Sequence, residues 1–151
     1  KLTDKVLLTL KYVYQKYNDY DWYLKADDDT FIFVDNLRDF INDKNRSSPI
    51  TYGYNFKLAL TGGYHSGGAG YLLSHEALNR IGSALTTDYG FCQNSGIEDV
   101  DVARCLRSLD VLIGNSIDEF GRERFHPLSI ADHFHGYYPD WMFQYTMNQL
   151  T

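Results

Sequence analysis

Trp22-Tyr23-Leu24-Lys25-Ala26-Asp27-Asp28-Asp29-Thr30 runs from aromatic and aliphatic residues straight into three carboxylates. Trp22 to Ala26 has the length and content of a buried strand, and the acids stand where such a strand leaves its sheet. Open α/β sheets bind their ligands at that place. Three adjacent carboxylates repel one another unless a cation or hydrogen-bond donors compensate them. A hard divalent cation with oxygen ligands, Mn²⁺ with Mg²⁺ as the alternative, is the matching compensation. Because side chains alternate along a strand, the spacing predicts Asp27 and Asp29 on one side and Asp28 on the other. The competing reading is an acidic turn facing solvent; an EF-hand is excluded, since the D-x-D-x-D-G spacing and terminal Glu are missing.

Around this stretch the chain has 151 residues, 44% of them hydrophobic, enough for a sizeable core and too many for a disordered segment. Fourteen Lys and Arg against 20 Asp and Glu leave a net charge of −6. No basic stripe forms, which argues against nucleic acid and anionic membrane surfaces as partners. No apolar run approaches the ~20 residues of a membrane span, and no signal-peptide pattern is present. Lys1-Leu2-Thr3-Asp4 opens without Met into a helical pattern, and Met147-Asn148-Gln149-Leu150-Thr151 stops without a closing signal. The chain is therefore expected to be a piece of a longer protein. Its two cysteines, Cys92 and Cys105, allow either a disulfide over a short loop or two reduced thiols.

Apolar residues at helical spacing, Val6, Leu7, Leu10, Val13, Tyr14 and Tyr17, predict an amphipathic helix ahead of the acidic strand. After the strand, Phe31-Ile32-Phe33-Val34 continues as a second apolar run, and Asp35 is placed to cap a helix carrying Leu37, Phe40 and Ile41 inward. Asn42 to Pro49 reads as a surface loop. Strand character returns in Ile50 to Tyr54 and in Ala69 to Leu73, the latter after a glycine-dense turn. Ser74 then caps a helix to about Leu85, with Leu73 and Leu78 as its hydrophobic staple. Another helix is predicted from near Glu98 to Ser108, and a short strand at Val111 to Ile113. Alternating helices and strands define an α/β class, with no repeat and no internal boundary.

Four further groups carry chemistry. Ser66-Gly67-Gly68-Ala69-Gly70 allows close backbone approach to a ligand, yet it matches neither the P-loop nor the dinucleotide fingerprint and equally suits a turn. Gly96-Ile97-Glu98-Asp99-Val100-Asp101-Val102 puts carboxylates in the first turn of a helix, where the dipole favours them; Asp99 or Glu98 could serve as a general base, and Asp101 reads as a surface acid on another face. His126, His133 and His135 lack the further ligands of a zinc site. Trp141, with Tyr137, Tyr138 and Phe143 near it, suits either a sugar's C–H face or a core. No G-x-S-x-G marks a nucleophilic serine.

Taken in order, Trp22 to Thr30, Tyr64 to Ser74 followed by Glu76-Ala77-Leu78, Ile97-Glu98-Asp99 with Arg104-Cys105, and Gly121-Arg122-Glu123-Arg124-Phe125-His126-Pro127 resemble the core 1 β1,3-galactosyltransferases of the Fringe-like GT-A glycosyltransferases. The resemblance runs from the first helix to the end of the chain. It implies a GT-A-like mixed sheet flanked by helices, incomplete at both ends, with residues 1–151 forming part of one catalytic domain. It also implies inverting transfer of galactose from UDP-galactose to the 3-hydroxyl of GalNAc on Ser or Thr of a glycoprotein. On that alignment Asp27 and Asp29 belong to a Mn²⁺–diphosphate site, Asp28 binds the donor, and Gly67, Gly68 and Ala69 line the donor sugar. Asp99, with Glu98 beside it, becomes the base; Trp141 and Tyr64 face the acceptor; Cys92 and Cys105 pair as a disulfide. The parent is implied to be a type II membrane protein acting in the Golgi lumen, with a homodimer left open.

Two departures stand against a complete site. The family's late histidine that finishes the metal site has no counterpart, since His126, His133 and His135 come too early, and the family's first uridine-binding strands should precede Lys1. The isolated chain is therefore expected to bind UDP weakly and to turn over little or not at all. Rival readings are a Fringe-type β1,3-N-acetylglucosaminyltransferase, a chondroitin-type transferase, a non-catalytic chaperone-like homologue, from which the intact triplet argues away, and a sugar-binding module.

Overall fold

The computed structural model describes residues 2–148, so Lys1 and Gln149 to Thr151 of the terminal stretches named above lie outside it. Its elements run α1 (Leu2–Lys16), β1 (Trp22–Lys25), α2 (Val34–Ile41), β2 (Ile50–Gly53), β3 (Asn55–Phe56), β4 (Tyr64–His65), β5 (Tyr71–Ser74), α3 (His75–Thr87), α4 (Glu98–Ser108), β6 (Leu112–Ile113), α5 (Ile130–His135) and α6 (Asp140–Tyr145). The main sheet is mixed, in the order β1-β5-β2-β6. β5 pairs antiparallel with β1 and with β2, while β2 and β6 are parallel. β3 and β4 form a separate antiparallel ribbon. The α/β class with a helix-flanked mixed sheet is thus the observed architecture.

β5 is the centre, and its alternation divides the core. Tyr71 and Leu73 enter the cluster under α1, α3 and α4 with Leu7, Leu78, Ile81 and Val102. Leu72 enters the opposite, aromatic cluster with Tyr52, Tyr54, Phe56, Phe125 and Met142. Each fully buried aliphatic side chain there contributes about 1.5–3 kcal/mol of transfer free energy. Helix α3 starts at Ser74, whose Oγ accepts from Ala77 N–H at 3.1 Å, as a cap residue should. Its α1 partner comes close because Gly82 has no Cβ where Tyr14 packs. Cys92 and Cys105 are joined in a disulfide, with Cα atoms 5.4 Å apart.

Several expectations need correction. Trp22 to Lys25 is an edge strand, half-buried rather than buried, because among the described residues only β5 pairs with it. The apolar run after the acidic triplet is not a core segment throughout, since Phe31 and Phe33 are largely exposed. Asp35 is inside the first turn of α2; the cap position falls to Phe33, which offers no side-chain bond. Asp101 is not a surface acid but a fully buried one.

Candidate active site

The acidic triplet leaves the sheet by a turn. Thr30 N–H donates to the Asp27 carbonyl at 3.2 Å, and Asp27 N–H donates to Thr30 Oγ at 3.0 Å. Strand alternation therefore ends at Lys25, and Asp28 and Asp29 occupy the middle of the turn, exposed like Asp27. The spacing argument for Asp27 and Asp29 sharing one side thus loses its basis, since it assumed extended backbone. Thr30 Oγ also donates to the Gly68 carbonyl at 3.3 Å, which docks the turn onto the glycine-rich segment. Gly70 completes that docking with φ +73°; a Cβ there would come within 2.9 Å of the Lys25 carbonyl, so glycine is required twice over.

Lys25 joins the two acidic groups. Its Nζ lies 2.6 Å from Asp27 Oδ1 and 3.8 Å from Glu98 Oε2, and it donates to the Gly67 carbonyl at 3.1 Å. The register places Lys25 opposite Tyr71 across the β1–β5 pair, with the ammonium 5.8 Å from the ring centre. Tyr71 in turn donates to Glu98 Oε1 at 2.8 Å. Burial raises the Glu98 carboxyl above its ordinary range, against the opposing pull of Tyr71 and Lys25. Burial also pushes the Tyr71 hydroxyl well up, with Glu98 adding to it. Lys25 and Tyr71 were not predicted as site residues. The available signal was a lone cation inside an apolar strand that ends in acids.

Glu98 and Asp99 open α4 but do different things. Glu98 is buried in the Lys25–Tyr71 network. Asp99 is half-buried; its Oδ2 accepts from Gly67 N–H at 3.2 Å and its Oδ1 from Val100 N–H at 2.9 Å, satisfying one free amide of the helix start. Gly67 fits under both, since a Cβ there would stand 2.9 Å from Glu98 Oε2 and 3.5 Å from Asp99 Cβ. A cleft of about 630 Å³ opens beside the acidic turn, with Asp29, Thr30, Gly68, Ala69, Phe40, Glu123 and Phe125 in its walls. The structure thus gathers Asp27, Asp29, Gly67, Gly68, Ala69, Glu98 and Asp99 about one end of β1 and β5.

Tyr64 and Trp141 share a neighbour in Phe56, at ring separations of 5.6 and 6.0 Å. Tyr64 is buried, and burial, with Asp99 contributing, pushes its hydroxyl up to about 12. Trp141 is 45% exposed on α6. His133 and His135 lie on the short helix α5, and His126 stacks edge-on against His133 at 4.5 Å. Among the described residues no three His, Cys, Asp or Glu side chains converge on one cation position. What the turn offers is exposed carboxylate oxygen, the hard donor that Mn²⁺ or Mg²⁺ takes when substrate oxygens fill its other positions. The donors fit such an ion in kind, and Lys25 would compete with it for Asp27.

Residues 1–61 match the family model for galactosyltransferases. It is similar to the Xenopus laevis glycoprotein-N-acetylgalactosamine 3-beta-galactosyltransferase 1, with 39% identity over 135 residues covering 88% of this chain and 37% of that protein. Human chondroitin sulfate synthase 3 is 35% identical over 118 residues, 68% of this chain and 13% of the relative. Mouse beta-1,3-glucosyltransferase is 29% identical over 109 residues, 70% and 22% of the two chains. The matched region is at most 37% of the length of these curated relatives.

Proposed function

We propose that this chain forms the donor and base region of an inverting β1,3-galactosyltransferase. The reaction moves galactose from UDP-galactose to the 3-hydroxyl of GalNAc on Ser or Thr of a glycoprotein. The observation that carries the reading is Lys25, which holds Asp27 at 2.6 Å and Glu98 at 3.8 Å and so sets the acidic turn beside the start of α4. Similarity to the Xenopus laevis relative supports the choice of sugars.

In this reading Asp27 and Asp29 hold a Mn²⁺ or Mg²⁺ ion, which when bound offsets negative charge on a diphosphate. Asp28 contacts the donor from the turn, and the Gly67 to Ala69 backbone admits the donor sugar closely. Asp99 takes the acceptor 3-hydroxyl proton while that oxygen attacks the anomeric carbon from the face opposite the departing UDP. The amides of Gly67 and Val100 hold its carboxylate in place. Glu98 keeps Lys25 and Tyr71 aligned behind it, and Trp141 with Tyr64 forms the acceptor side. The Cys92–Cys105 disulfide suits an oxidising compartment, in keeping with a Golgi-lumenal enzyme whose parent is a type II membrane protein. No helix among the described residues is long and apolar enough to cross a membrane.

The test is a donor panel of UDP-galactose, UDP-N-acetylglucosamine, UDP-N-acetylgalactosamine and UDP-glucose with a GalNAc-peptide acceptor, run on the whole protein that carries this chain. Galactose transfer that Asp99→Asn abolishes while UDP affinity is kept supports the reading. Preference for another donor, or full activity of Asp99→Asn, overturns it.

A further inference from the structure

His65 carries a polar atom without a partner among the described residues. The residue is buried on β4, and its Nε2 lies 2.9 Å from Thr51 Oγ. The Thr51 hydroxyl has one hydrogen and donates it to the Leu112 carbonyl at 3.2 Å, so toward His65 it can only accept. Nε2 therefore bears the ring hydrogen. Burial lowers the imidazole to about 4, the Thr51 backbone opposing this by hydrogen bonding and the Arg107 guanidinium adding to it. The ring is neutral near pH 7, which makes Nδ1 a bare acceptor. Among the described residues Nδ1 has no hydrogen-bond partner, a costly state for a buried polar atom.

A cavity of about 10 Å³ adjoins the same ring, the room of one water molecule. Its other polar lining comes from Thr51, Tyr71, Asp99 and Arg107. Each Asp99 oxygen already accepts one amide hydrogen and has a lone pair to spare. The Tyr71 hydroxyl is committed to Glu98.

We infer that this cavity holds one ordered water donating one hydrogen to His65 Nδ1 and the other to the Asp99 carboxylate, which makes His65 a positioning residue for Asp99. The positioning role rests on the reading of Asp99 as the base; the water and its two hydrogen bonds do not. They satisfy the orphaned nitrogen and hold the carboxylate together with the Gly67 amide.

Imidazole ¹⁵N spectra of the full chain test the water directly. The expected result is an Nε2–H tautomer whose Nδ1 frequency shows an accepted hydrogen bond, with Asp99→Asn moving the Nδ1 signal and leaving Nε2 in place. An Nδ1–H tautomer, a free-acceptor Nδ1 frequency, or an Nδ1 signal indifferent to Asp99→Asn overturns the inference. His65→Gln can still donate to Thr51 but lacks the Nδ1 acceptor, whereas His65→Asn places an amide oxygen near Nδ1. In transfer assays His65→Gln is expected to lower kcat roughly tenfold with KM for UDP-galactose unchanged, and His65→Asn to regain part of the loss. Equal losses in both variants, with kcat, KM and Tm moving together, overturn the positioning role. These transfer assays use the whole protein that carries the chain; absent galactose transfer in its wild type would sink the proposed function, and the spectra would still decide the water.

Discussion

Tyr71 donates its phenolic hydrogen to Glu98 Oε1 at 2.8 Å, tying the central strand β5 to the first turn of α4. Both residues are buried, so the carboxylate sits in low dielectric, compensated by Tyr71 and by the 3.8 Å approach of Lys25. Burial raises the Glu98 carboxyl; Tyr71 and Lys25 pull it down, and Asp99 and Asp27 push it up further, for a net rise. A raised folded pKa means the native state binds the proton more tightly than the unfolded chain. Its stabilisation is complete below the ordinary value of 4.5 and is lost as pH rises through the folded value. Glu98→Gln removes this titration. The Tm of the variant minus that of the wild type should therefore increase across the acid-to-neutral range in calorimetry; a flat or falling difference would refute the assignment.

Asp101 behaves oppositely. Burial pushes its carboxyl up, but hydrogen bonds from the Ser95 hydroxyl at 2.6 Å, the Thr3 hydroxyl at 2.9 Å and the amides of Ser95 and Gly96 outweigh that, with Arg104 at 3.1 Å. A depressed folded pKa gives stability that is present above the unfolded value and lost as pH falls through the folded one. Asp101→Asn turns an acceptor oxygen into a donor among donors. The expected cost is about 3 kcal/mol in urea unfolding near neutral pH, shrinking in acid. An Asn variant as stable as wild type at neutral pH would show that this network is not needed.

The Cys92–Cys105 disulfide spans 13 residues and anchors the segment before α4 to that helix's core face. In the chain-entropy account a loop of this size stabilises by about 3 kcal/mol. Reduction, or Cys92→Ser with Cys105→Ser, should lower Tm by about 6–12 °C at this chain length. A melting curve indifferent to reductant would count against a structural role.

Legibility in the sequence followed locality. Helix α4 was readable from end to end because Val102, Cys105 and Leu106 recur at helical spacing behind an acidic first turn. Ser74 was readable as a cap because its partner, Ala77, is three residues on. The acidic turn was readable as a site but not in shape, since the hydroxyl of Thr30 closes it and cancels strand alternation. Asp101 was misread because Thr3, a principal donor, comes from α1 at the far end of the sequence. Lys25 and His65 could not be assigned for the same reason: Glu98, Gly67 and Thr51 reach them only through the folded sheet.

Gly67 and Gly68 look alike in the sequence and differ in the fold. A Cβ on Gly67 would stand 2.9 Å from Glu98 Oε2, an atom that cannot give way freely because its carboxylate is pinned by Tyr71 and flanked by Lys25. A Cβ on Gly68 would meet only the Pro127 carbonyl, at 3.9 Å, an ordinary contact. Gly67→Ala should therefore cost about 1–3 kcal/mol as an overpacked site, lowering Tm by several degrees, while Gly68→Ala leaves Tm close to wild type. The displaced Glu98 also loosens Lys25 from its position between the two acidic groups. Gly67→Ala should then lose galactose transfer well beyond what its remaining folded fraction accounts for. Thermal melts and transfer assays on the same preparations check both parts. Equal Tm values for the two alanine variants would mean that the Glu98 carboxylate is not held as rigidly as its contacts with Tyr71 and Lys25 require.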